Sequence, residues 1–145
     1  MKSVLFLLLA TVILEQTLLT QQGPNSNNCP IATEKNIDFY IVGSADSIQP
    51  NGLKVRVIDT RLLVKGFKLA SDDSLVKIIS CKISFDSPSG NIYEKPLSGN
   101  EVSYDTKNID LLQKIRYAKM ITIDNIKVSY KGLCYSLKGQ VYHAR

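Results

Sequence analysis

The run Leu75-Val76-Lys77-Ile78-Ile79-Ser80-Cys81-Lys82-Ile83-Ser84-Phe85 alternates more cleanly than any other part of the chain. Ile79, Cys81, Ile83 and Phe85 share one parity, while Ser80, Lys82 and Ser84 take the other. That two-residue period is the mark of a strand with one face buried. Cys81 therefore points inward, where a cysteine packs as a small hydrophobe. Ser71-Asp72-Asp73-Ser74 on one side reads as a loop, and Ser87-Pro88-Ser89-Gly90-Asn91 on the other as a hairpin connection into Ile92-Tyr93-Glu94-Lys95.

Working toward the N-terminus, Leu53 to Val64 is a long β-rich run and Gln49-Pro50-Asn51-Gly52 is turn chemistry. A moderately alternating segment, Ile37 to Val42, precedes it and stops at Gly43-Ser44. Toward the C-terminus, the spacing of Ile109, Leu112 and Ile115, with Leu111 beside them, predicts one short helix capped by Asp105, Thr106 or Asn108. In Met120 to Tyr130, Ile121 and Ile123 share one parity but Ile126, Val128 and Tyr130 the other. One extra residue near Asp124-Asn125 would restore a common face, which predicts a β-bulge. Lys131-Gly132 then turns the chain into a last strand with Leu133, Tyr135, Leu137 and Val141 on one face.

Six or seven short strands with one short helix in a connection point to a mainly β protein, an immunoglobulin-like β-sandwich over residues 37–145. The expected core draws on Phe39, Val57, Ile79, Ile83, Phe85, Leu112, Ile123, Ile126, Val128, Leu137 and Val141.

Ahead of that domain, Lys2 precedes an eleven-residue apolar run, Val4 to Leu14, closed by Glu15. A membrane span needs about 20 apolar residues. Charged start, short apolar core and polar exit make residues 1–20 a secretory signal peptide, with no stable membrane insertion after processing. Residues 21–36, polar and containing Gly23-Pro24, read as a flexible spacer. Lys2 and Glu15 cancel, so the processed chain keeps the net charge of +5.

Export permits disulfides. Of three cysteines, Cys81 faces the core, whereas Cys134 shares its parity with Ser136, Lys138 and Gln140; Cys29–Cys134 is the pairing this favours. The single histidine, His143, lies near the C-terminus, and no Gly-x-Ser-x-Gly is present. These counts point to a non-enzyme with no cofactor and no metal site. The basic stretch Lys54, Arg56, Arg61, Lys65 and Lys68, broken by Asp59, lacks interleaved aromatics and reads as a solvated strand face rather than a nucleic-acid surface.

Gly99-Asn100, the helix with Leu111-Leu112-Gln113-Lys114-Ile115, the run Met120-Ile-Thr-Ile-Asp124-Asn125-Ile126-Lys127-Val128 and the closing Gly139-Gln-Val141-Tyr142 resemble, in order and spacing, the C-terminal domain of the gliding-motility protein GldM. The match spans Leu53 to Tyr142 and is specific in its last 45 residues. It departs from the family at Ala118, where a glycine is usual, and at Lys131-Gly132, which replaces a longer turn. The resemblance implies a periplasmic β-rich domain of Bacteroidetes gliding and type IX secretion machinery, of a kind that dimerises and touches partner proteins. The family's membrane anchor and additional domains have no counterpart here, so a stand-alone exported copy is expected.

The expected function is a non-enzymatic envelope module, periplasmic or at the cell surface, that binds envelope proteins through a sheet edge or face. Tyr40, Arg56, Tyr130 and Tyr142 are the candidate contact residues. A glycan- or surface-binding adhesin-like sandwich is the alternative, with tyrosine as its stacking platform because the chain has no Trp.

Overall fold

A computed structural model describes residues 37–145. The expected signal peptide (residues 1–20), the expected spacer (residues 21–36) and Cys29 lie outside the described residues. Ten strands and two short helices follow in the order β1 (Tyr40–Ile41), β2 (Ala45–Ile48), β3 (Lys54–Ile58), α1 (Thr60–Leu63), β4 (Gly66–Ala70), β5 (Val76–Asp86), β6 (Ile92–Ser98), β7 (Glu101–Ser103), α2 (Ile109–Ile115), β8 (Met120–Tyr130), β9 (Leu133–Leu137) and β10 (Gln140–Ala144). They form two sheets, one ordered β1-β4-β7 and one ordered β2-β3-β10-β8-β5-β6, with β9 also pairing β8. β3 and β10 run parallel, and the other described pairs are antiparallel. The protein is mainly β and built as two layers, as the alternation predicts.

The spine is the β5–β8 pair, two eleven-residue strands. Between Lys82↔Asp124 and Ser80↔Lys127, β8 advances three residues while β5 advances two. The extra residue is the expected bulge, with Asn125 at φ 49°. It brings Ile121, Ile123, Ile126, Val128 and Tyr130 onto one buried face. A second irregularity, in β5 at Ile79, was not legible. It turns Ile79 out to solvent and puts Val76 and Ile78 against the core beside Cys81, Ile83 and Phe85. The apparent single parity of Leu75 to Phe85 is thus two half-strands joined by a bulge.

Two further core assignments are corrected. Tyr142, not Val141, fills the interior, because β9 and β10 are separated by Lys138-Gly139 and the inward parity shifts at that gap. Gly139 packs on the β8 bulge, where an added Cβ would lie 3.1 Å from the Ile123 carbonyl oxygen. On β3 the inward residues are Arg56 and Ile58, so Val57 lies on the outer face and is only partly buried.

The Leu53 to Val64 run does not continue as a strand. Asp59 accepts a 3.0 Å hydrogen bond from the Arg61 amide and caps α1, which buries Thr60 and Leu63. β2, β4 and β7 are not predicted from the sequence, because in runs of three to five residues a two-residue period is too short to stand out. The predicted helix is present as α2, burying Leu111, Leu112 and Ile115. Asp105 accepts from the Lys107 and Asn108 amides ahead of it, at 2.9 and 3.0 Å. Thr60 Oγ1 donates to the Arg116 carbonyl at 3.1 Å, tying α1 to the end of α2.

Candidate functional site

Three of the four predicted contact residues do not face solvent. Tyr142 is fully buried and Tyr130 nearly so. Arg56 points inward on β3 and donates to the Phe39 carbonyl, to Asp38 and, at 2.6 Å, to Gln140 Oε1. Gln140 Nε2 donates to Asp38 at 2.8 Å, and the Tyr142 hydroxyl donates to Gln140 at 3.0 Å while accepting from the Ile41 amide at 3.2 Å. Burial disfavours the Arg56 charge, but its hydrogen bonding to Tyr142 and the attraction of the Asp38 carboxylate, which accepts from it, outweigh that and hold its pKa above the usual value. Burial likewise raises the Tyr142 phenol. This network is a latch fastening the Asp38–Ile41 segment of the small sheet to the large one. Tyr40 remains half-exposed on β1. Cys134 is disulfide-bonded and Cys81 is a free, buried thiol.

The surface with binding character lies elsewhere, where α1, β4, β7 and the end of α2 converge. A hollow of about 590 Å³ is walled by Val42, Leu62, Lys65, Lys68, Glu101 and Tyr104. A second, about 560 Å³, is walled by Val64, Lys65, Tyr104, Leu112, Arg116 and Tyr117. Lys65 and Tyr104 line both, so the hollows form one groove. Leu62, Tyr104 and Tyr117 are 61%, 60% and 59% exposed, although leucine usually buries and tyrosine buries at least in part.

Local structure sets these side chains. α1 is amphipathic over a single turn, with Leu63 in the core and Leu62 outward. Gly66, at φ 106°, lets β4 approach β7 so closely that a Cβ there would lie 2.5 Å from the Val102 carbonyl oxygen. The turn after α2 is fixed by the Tyr117 and Ala118 amides donating to the Lys114 and Ile115 carbonyls, and the Arg116 guanidinium rests 5.2 Å from the Tyr117 ring centroid.

The basic stretch noted in the sequence divides in space. Lys54 pairs with Asp46 at 2.8 Å, Arg56 with Asp38, and Arg61 with Asp59 at 2.7 Å. Lys65 and Lys68 reach the groove instead, joined by Arg116. Tyr104 and Tyr117 sit in connections, where periodicity carries no information. Their one available signal is that they flank the helical segment, Tyr117 directly after Arg116. The groove offers ammonium, guanidinium, phenol and aliphatic surface, which suits contact and binding. Comparison with known proteins finds no family model that matches the chain and no curated protein that matches it.

Proposed function

We propose that the chain is a non-enzymatic, exported envelope module that binds a partner protein through the groove between α1, β4, β7 and α2. The observation that carries this reading is the contiguous exposure of Leu62, Tyr104 and Tyr117 around two joined hollows. Exposed apolar residues gathered in a concavity, rather than scattered singly, mark interaction surfaces. The sheet edges offer less: β2 is four residues long, and β6 carries Pro96 with charged Glu94 and Lys95, devices that blunt an edge.

Within this reading the fold is immunoglobulin-like. The β1-β4-β7 sheet corresponds to strands A, B and E, and β10-β8-β5-β6 to G, F, C and C′, with β3 running parallel to the last strand. α2 then occupies the E–F connection. The same order of Gly-Asn, helix, bulged strand and closing strand carries the resemblance to GldM C-terminal domains, and a role beside gliding or type IX secretion components is the corresponding proposal. The Cys29–Cys134 bridge belongs to it as well, since Cys81 is the free thiol.

The test is capture from envelope extract on the exported protein and on a Tyr104→Ala/Tyr117→Ala variant of unchanged circular dichroism. Wild type should retain a partner that the variant loses. Equal retention by both, or none by either, removes the groove from the function.

A further inference from the structure

We infer that the groove's occupant is an acidic polypeptide segment with interspersed apolar side chains; this rests on the groove-binding reading above. Three cations, Lys65, Lys68 and Arg116, line the joined hollows against one carboxylate, Glu101. None of these four forms an ion pair among the described residues. The nearby cations Lys54, Arg56 and Arg61 are each matched by an aspartate of their own. The hollows thus carry a local excess of two positive charges, three cations less one carboxylate, with Lys68 and Glu101 directly opposite across β4 and β7, and low-dielectric walls focus that field outward. A chain of net charge +5 adds attraction for a negative partner over longer range.

Shape and chemistry favour polypeptide over other anions. Val42, Leu62 and Val64 line the hollows as aliphatic surface, which takes apolar side chains of a peptide better than it takes sugar hydroxyls. A concave hollow with cations among its walls does not lie flat on a bilayer. Tyr104, shared by both hollows, divides the groove into two adjoining subsites, as alternating anchors along a segment require.

The experiment pans a library of displayed random dodecapeptides against the full exported chain. Selected peptides are then measured by fluorescence anisotropy on wild type, on Tyr104→Ala/Tyr117→Ala and on Lys65→Glu/Arg116→Glu. The selected pool should be net negative with Leu, Ile, Phe or Tyr between the acids. Affinity should fall roughly tenfold or more on charge reversal, and fall again as salt is raised from about 50 to 300 mM. A pool that is neutral or basic, no enrichment at all, or binding indifferent to Lys65→Glu/Arg116→Glu overturns the inference. If the tyrosine variant loses binding while the charge variant keeps it, the groove reading stands and only the acidic chemistry falls. If neither variant loses it, both fall. Displacement of the peptides by polygalacturonate at lower charge concentration than by polyglutamate reassigns the groove to acidic glycan.

Discussion

Gly66 stands where two strands of the small sheet come closest, and its φ of 106° is one that L side chains rarely adopt. Gly66→Ala sets a methyl group 2.5 Å from the Val102 carbonyl oxygen. Strain of this kind costs about 1–3 kcal/mol before the clash is counted, so thermal unfolding should move down by roughly 5–15 °C. Tyr142→Phe isolates the Ile41 amide from its acceptor inside the latch and should destabilise by about 1–3 kcal/mol in urea unfolding. Cys81 is held protonated, first by burial and then by the Asp124 charge, which together raise the thiol from 9.0 to about 11. It should resist iodoacetamide at pH 8 in the folded protein and react fully in denaturant, as read by intact mass. Non-reducing peptide mapping should show Cys134 linked to Cys29; a bridge involving Cys81 would contradict the buried thiol.

At the level of elements, long alternating strands were legible and short ones were not. β5 and β8 announce themselves because each is eleven residues long. The Asp124-Asn125 bulge was visible because it separates two well-populated apolar parities. The Ile79 bulge was hidden because Ile78 and Ile79 are both isoleucine, so either parity scans equally well from sequence. Val141 and Tyr142 posed the same ambiguity, resolved only by the Lys138-Gly139 gap. Tyr40, Arg56, Tyr130 and Tyr142 are expected contacts as aromatic and basic positions facing solvent, but Arg56 and Tyr142 are used in the inter-sheet latch and the β8 bulge turns Tyr130 onto the buried face. The groove was illegible because short segments from distant parts of the chain build it: residues 62–68, 101–104 and 116–117. At the bulge, Asn125→Val forces a β-branched residue into φ 49° and should destabilise by roughly 1–2 kcal/mol, whereas Asn125→Gly should be tolerated. Paired urea melts of the two variants check this.

For the whole molecule, charge and burial set the pH range of stability. Hydrogen bonds from the Arg61 side chain and amide lower Asp59 from 3.8 to about 2. Asp86 is also lowered: burial opposes this, but the Met120 and Lys119 amides donate to its carboxylate and prevail. Carboxylates whose folded pKa lies below the unfolded value stabilise above about pH 4 and lose that contribution as pH falls toward about 2. Tyr142 and Cys81 are raised, so they stabilise at neutral pH and lose that contribution as pH climbs beyond their unfolded values. The melting temperature should therefore be flat between about pH 5 and 8 and decline on both sides. Function is expected to follow the groove and not the sheet edges. Hydrogen exchange on the full chain, with and without a bound partner, tests that claim most directly. Protection confined to residues 62–68, 101–104 and 116–117 is the expected result; protection along β2 or β6 with the groove unchanged would contradict it.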